Sequence, residues 1–495
     1  MFFDSYIRRV PASASWLARP LSGRRCALGW FAATTVFIGL IRLFGGPAEG
    51  DLSESSYSTW AIAHGHLGCA YPPASTYHFF SLAKPGPFIP PIWPMLSGGL
   101  AALTGIGKSV AFPSLAALGP HCSTASAAMS QWENRSGALL PTMRLGYFSW
   151  LILMAGVVAL LRASGRGRCG WEPTVLVLMA CIPSVSMPLF EAFHPQDIVA
   201  MGFVLAGLAC VLRGWWVWAG VLLALAVSSQ QFALLVLAPL VVVAPSHRRY
   251  RFVGGAIVAS AVILVPVIAV TSGRALNAVV LGSGNTPSVG GTVLWELHLH
   301  GALLVALSRV LPIVLSMALA WWAVRRLGPT ALEPVPLLSL IATSLGLRLV
   351  FEQNIFGYYF MALAVSLVLL DVVRGRISGP LVAWLALAFL PFFPGSWGLE
   401  AREYLPFSLM AVVLLIILFD ALRARIRWYL VAWLACVALA FAQFPLTSLP
   451  FRHALPIWFW QVVLVSSGVA LAARPLVNRG QPRPVGQLDS VKVTA

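Results

Sequence analysis

Three short stretches of this sequence gather the residue types that acid–base chemistry and anion binding require. The first runs from Asp51 to Gly65 (DLSESSYSTWAIAHG) and continues to Tyr71-Pro72-Pro73. A carboxylate at Asp51, with Glu54 close by, could take the proton from an attacking hydroxyl. The same spacing makes Asp51 an N-cap for a helix over 52–64, with Glu54 as its capping-box partner, and both readings stand. The second stretch is Phe193-His194-Pro195-Gln196-Asp197. Asp197 near a helix N-terminus is favoured by the dipole, while His194 could orient a hydroxyl or pair with Asp197. The third holds Arg348, Glu352, Tyr358 and Tyr359. Arg348 and Glu352 are spaced for a local i,i+4 pair, and a guanidinium fork also suits a phosphate, so the two roles coexist. Arg144 is a second candidate for the anion, and Arg309, deeper in an apolar run, is assigned a structural role. Tyr57, His64, His194, Asp197, Glu352, Tyr358 and Tyr359 complete the candidate substrate contacts.

Other patterns carry less. Gly105-Ile106-Gly107-Lys108-Ser109 resembles a phosphate loop, yet Ala102 stands where the first glycine of that motif belongs. His298 and His300 lack further ligands at metal spacing, so no metal site is assigned, and a divalent ion is left open. Of the seven cysteines, Cys69 and Cys122 share one loop. They are read either as a disulfide or as two small apolar thiols, since spacing alone does not bring them together.

The elements that must position these residues are membrane spans. The chain has 495 residues, 59% hydrophobic and 10% charged, with mean hydropathy +0.84. A soluble domain carries about 25% charged residues. An all-α, polytopic integral membrane protein follows, with about 14 transmembrane helices between 27–44 and 456–473. Most of the 33 Lys and Arg fall in loops that the positive-inside rule places in the cytoplasm. Most carboxylates, and every histidine but His247, fall on the other side. The net charge of +17 is therefore topological, and nucleic acid is excluded as a partner. The expected organisation is a basic cytoplasmic N-terminus (1–26), a membrane domain (27–473) with a large extracytoplasmic loop (45–142), and a disordered cytoplasmic tail (474–495).

Two local features refine that plan. Residues 88–107 are apolar enough to span, but doing so would push Arg162, Arg166 and Arg168 outside. Prolines 87, 90, 91 and 94 also spoil a regular helix start, so this stretch is read as a juxtamembrane element. Segments 198–212, 215–229 and 231–245 reach only about 22 Å each at 1.5 Å per residue, against roughly 30 Å of hydrocarbon. The turn Ser228-Ser229-Gln230-Gln231 then lies below the outer surface, where irregular backbone must line a cavity or be buried in protein.

In order and side, these motifs resemble the GT-C superfamily of polytopic glycosyltransferases, closest to the bacterial glycosyltransferase family 87 type. The resemblance rests on Asp51, Tyr57, Trp60, Ala61, Gly65, Tyr71 and Pro72, on His194 to Asp197, on Ser229-Gln230-Gln231, and on Tyr358-Tyr359. It covers about residues 27–373 and implies a bacterial plasma-membrane enzyme with cytoplasmic termini and an extracytoplasmic active site. A sugar, mannose by family association, would pass from a polyprenyl-phosphate donor to a lipid or glycan acceptor, with Asp51 as base. One departure matters. The turn that carries lysine in the family has Gln230 and Gln231 here, and glutamine cannot neutralise a phosphate. The resemblance therefore leaves that charge to Arg348 or Arg144, with Gln230 and Gln231 contacting the donor. A transporter or lipid flippase would need polar residues on both sides of a pathway, which the outward clustering disfavours. A non-catalytic scaffold of the same fold is the third reading.

Overall fold

The computed structural model describes residues 52–67, 90–106, 108, 140–166, 193–270, 306–352, 357–375 and 457–478, with scattered positions in 172–189 and residues 303, 304, 381, 384 and 385. Every regular element among them is helical. In chain order they are α1 (Leu52–Ala63), α2 (Ile92–Thr104), α3 (Leu140–Ala163), α4 (Pro195–Leu212), α5 (Trp216–Ser229), α6 (Leu234–Val243), α7 (Ser246–Val270), α8 (Leu311–Leu327), α9 (Pro334–Val350), α10 (Met361–Val373) and α11 (Ile457–Asn478). Four helical stretches, Pro141–Ala163, Pro195–Leu212, Ser246–Val270 and Ala306–Leu332, are long and apolar enough to cross a membrane.

The short segments behave as their lengths require. Residues 215–229 and 231–245 form α5 and α6, each of one dozen residues or so, joined by a 3-10 turn at Gln231–Ala233. Gln230 is extended, and its side-chain oxygen accepts from the Gln231 N–H at 3.0 Å, which caps the turn. Within 88–107 the described residues form the short helix α2, begun by Pro91 and ended by Gly105 in the left-handed conformation. Other ends move outward from the expected limits. α7 starts at Ser246 rather than 252, because Arg248, Arg249 and Arg251 can be helical without being apolar. α11 continues four residues past 474, where the tail was expected to begin, and Arg326 bonds its Val477 carbonyl at 2.7 Å.

Helices approach closely where glycine removes the side chain, the usual device where lipid supplies no hydrophobic drive between helices. A methyl on Gly156 would strike the Gly202 carbonyl, fixing α3 against α4. A methyl on Gly220 would strike the Phe252 carbonyl, and one on Gly255 would lie 2.5 Å from the Val217 carbonyl oxygen, fixing α5 against α7. α9 meets α11 through the Ser339 hydroxyl, which donates to the Ala472 carbonyl, and through Gly346 beneath Val469. α1 and α2 pack side by side and run in the same direction. The Trp93 indole donates to Ser55 Oγ at 2.8 Å, Thr59 and Ser97 hydroxyls bond at 2.7 Å, and Gly98 admits Ile62.

Burial separates centre from perimeter. The apolar window of α4 is 78% buried, whereas that of α7 is 17% buried. α7 instead exposes Ile257, Val258, Val262 and Val265, and α8 exposes Val314, Met317 and Trp321. Stripes of large aliphatic side chains on that scale are stable against lipid and not against water.

The α5–α7 contact yields a test with an internal control. Gly255→Ala is expected to destabilise by about 1–3 kcal/mol through overpacking against backbone. Its neighbour Gly254 has open space where a methyl would go, so Gly254→Ala should be neutral or stabilising by up to ~1 kcal/mol. Thermal unfolding in detergent measures both, and equal losses would refute the close approach.

Candidate functional site

The arginine-rich helix ends gather at one end of the bundle. Arg162 pairs with Glu172 at 2.7 Å, Arg166 donates to the Val373 carbonyl at 2.9 Å, and Arg374 lies 3.4 Å from Asp371. The opposite end holds the start of α3 and α4, the Gln231–Ala233 turn, the C-terminus of α9 and the Gly357–Phe360 turn that opens α10. Most of the candidate residues converge there.

The segment before α4 is held in a strained form. Phe193 is fully buried with φ of 47°, and its ring fills the space left by Gly146. A left-handed bulky residue costs energy that surrounding packing must supply. The strain turns the chain so that the His194 N–H donates to the Pro188 carbonyl at 2.6 Å, and Pro195 opens the helix. The Gln196 side-chain amide lies 3.0 Å from His194 Nδ1. Asp197 Oδ2 is 3.7 Å from the same Nδ1, and Asp197 is nearly fully buried in the first turn of α4. The His194 ring stacks on Tyr358 at 4.3 Å, and Tyr358 meets Tyr359 edge-on at 4.8 Å.

Arg348 lies in the last turn of α9, and its Nε donates to Glu352 Oε2 at 2.8 Å. Arg309 stands 3.5 Å from the other carboxylate oxygen. One buried carboxylate therefore lies between two guanidinium groups, and Asp197 is close enough to interact electrostatically with Arg348 and Tyr359. The Arg348 guanidinium also lies 4.8 Å from the Tyr359 ring and 5.6 Å from Phe232. Its Nε is committed to Glu352; among the described residues its two Nη groups have no hydrogen-bond partner.

The structure thus joins His194, Asp197, Arg348, Glu352, Tyr358 and Tyr359 from two of the three stretches, with the Gln230–Gln231 turn adjacent through Phe232. Other candidates lie apart. Arg144 is exposed on the first turns of α3 and shares no described contact with the cluster. His64 is exposed beyond α1, where Nδ1 bonds the Trp60 carbonyl at 2.9 Å and ends that helix. Tyr57 is buried within α1 beside Trp60, and burial raises its phenol above the ordinary tyrosine value, keeping it protonated. Asp51, Cys69, Cys122, His298 and His300 lie outside the described residues, as does the Glu54 side chain. Leu52 packs in one buried cluster with Trp93, Met143 and Phe193, so α1 begins beside the strained turn.

Arg309, which the sequence assigns a structural role, joins this cluster through Glu352. It occupies a π-helical turn, Ala306–Val310, and such turns favour functional positions. Its one sequence signal was a charge in an apolar run. Comparison with known proteins adds no assignment: no family model matches the chain, and no curated protein matches it.

The carboxylate between two arginines has a measurable consequence. Glu352→Leu removes the shared counter-charge and is expected to destabilise by about 3–5 kcal/mol. Arg348→Met added to it should restore much of that loss, leaving only the more exposed Arg309 unpaired. Thermal midpoints in detergent report both, and a double variant no more stable than the single one would refute the pairing.

Proposed function

We propose that this protein is a membrane glycosyltransferase that uses a polyprenyl-phosphate sugar donor and acts on an extracytoplasmic lipid or glycan acceptor. The observation that carries the reading is Arg348. Glu352 holds its Nε, Tyr359 and Phe232 flank the guanidinium, and the Nη groups are left to donate. A planar pair of N–H donors at one end of an apolar bundle suits a phosphate carried on a lipid tail.

In this reaction the acceptor hydroxyl loses its proton to Asp51, and its oxygen attacks the anomeric carbon of the donor sugar. The bond from that carbon to the phosphate oxygen breaks, and polyprenyl phosphate leaves with the electron pair. Arg348 stabilises the developing phosphate charge, with Arg309 as a second cation beyond Glu352. His194 and Asp197 would bind sugar hydroxyls, an imidazole N–H donating and the carboxylate accepting. Support for Asp51 comes from its sequence neighbour Leu52, which packs with Phe193 one residue before His194. Arg144 has the weaker claim to the phosphate because it shares no described contact with this cluster.

The test is transfer of radiolabelled sugar from polyprenyl-phosphate donors in membranes containing the full chain. Asp51→Asn is expected to lower turnover by about 10²–10⁴-fold, the span of a general base. Arg348→Gln should reduce turnover together with apparent donor affinity. Full activity in either variant would remove that residue's role. Failure of the unaltered protein to transfer from any common lipid donor would shift the reading to a flippase, a transporter or a non-catalytic scaffold.

A further inference from the structure

The arginines at the end remote from the candidate site differ from those within it. Arg213, Arg248, Arg249 and Arg251 have no carboxylate partner among the described residues. Arg249 is engaged by backbone, donating to the Val242 and Ala244 carbonyls at 3.3 and 3.2 Å. Arg248 donates to His247 Nε2 at 3.0 Å, and Arg213 and Arg251 lie over the Trp215 and Tyr250 rings at 5.4 and 5.8 Å. None of these partners carries a negative charge, so the patch stays uncompensated.

Packing brings Arg248 beside Gly214, next to Arg213, with Arg251 one turn further along α7. The glycine contacts between α5 and α7 bring 213–218 against 248–252, with Trp216 edge-on to Phe252 and Arg248 beside Gly214. Trp215, Trp218 and Tyr250 project around them, 54%, 63% and 64% exposed. Two turns further along α7 begins the aliphatic stripe of Ile257, Val258, Val262 and Val265. A soluble anion has use for the cations but none for the aromatic rim or the stripe. A phospholipid uses all three: its phosphate meets arginine, its glycerol region meets Trp and Tyr, and its acyl chains lie on the stripe.

We propose that Arg213, Arg248 and Arg251, with the Trp215, Trp218 and Tyr250 rim, form a binding site for the headgroup of an anionic phospholipid where α7 enters the bilayer. The site is independent of the reaction proposed above. It is tested by titrating the full chain in neutral detergent with short-chain phosphatidylglycerol and following the thermal midpoint. Short-chain phosphatidylcholine and inorganic phosphate are the comparison arms. Phosphatidylglycerol is expected to raise the midpoint saturably and the other two to leave it unchanged. The variant R213Q/R248Q/R251Q should weaken the apparent affinity by about tenfold or more, and R213K/R248K/R251K should preserve most of it. Should the triple glutamine variant fold poorly, Arg251→Gln alone, at an exposed residue, should cost about fivefold. An equal response to phosphatidylcholine, an equal response to inorganic phosphate, or an unchanged affinity in the glutamine variants would each overturn the proposal.

Discussion

The carboxylate of Glu352, held between Arg348 and Arg309, is the interaction on which the candidate site depends. A buried charge without a partner is costly, and two cations cannot be tolerated near one another in an apolar bundle without an anion between them. Glu352 meets both conditions, and in doing so ties the end of α9 to the π-helical turn before α8. That turn accommodates an extra residue, which rotates Arg309 relative to the regular helix that follows. The consequence extends to Arg348. With Nε committed to the carboxylate, the guanidinium plane is fixed between Tyr359 and Phe232. A fork whose orientation is set in advance loses less freedom when an oxyanion arrives.

That cluster is only as well placed as the helices carrying it. α4 supplies His194 and Asp197 from the most buried of the long helices, and glycines 156 and 202 set its depth against α3. The Phe193 strain belongs to the same arrangement. Gly146 makes room for the ring, and the ring then holds the backbone in a conformation a bulky residue rarely adopts. A small residue on one helix thus fixes the aim of a histidine on the next.

What could be read from the sequence was local. The helix over 52–63, the short helix within 88–107, the interrupted pair around Gln230 and the His194–Asp197 opening of α4 each depend on neighbours within a few residues. Composition and apolar run length predicted an all-α protein with membrane-length helices, and four such helices stand among the described residues. What escaped was long-range or geometric. Arg348 and Glu352 are an i,i+4 pair visible in one line of sequence, whereas Arg309 reaches the same carboxylate from a distant segment. Stacking of His194 on Tyr358 likewise joins remote segments, and a positive φ at Phe193 has no residue-type signature. Helix ends erred for another reason. Hydropathy stops where charges begin, but the backbone of α7 continues through Arg248 to Arg251 because arginine is a good helix former.

The two ends of the bundle solve opposite electrostatic problems with the same residue. At the candidate site, Arg348 and Arg309 share Glu352, and Asp197 lies within electrostatic range, so the resident charges nearly cancel. At the far end, Arg213, Arg248 and Arg251 meet only aromatic rings, an imidazole and each other's neighbours. No described residue places a negative charge beside them, and the proposed anionic lipid would supply it while its acyl chains lie on the adjoining aliphatic stripe.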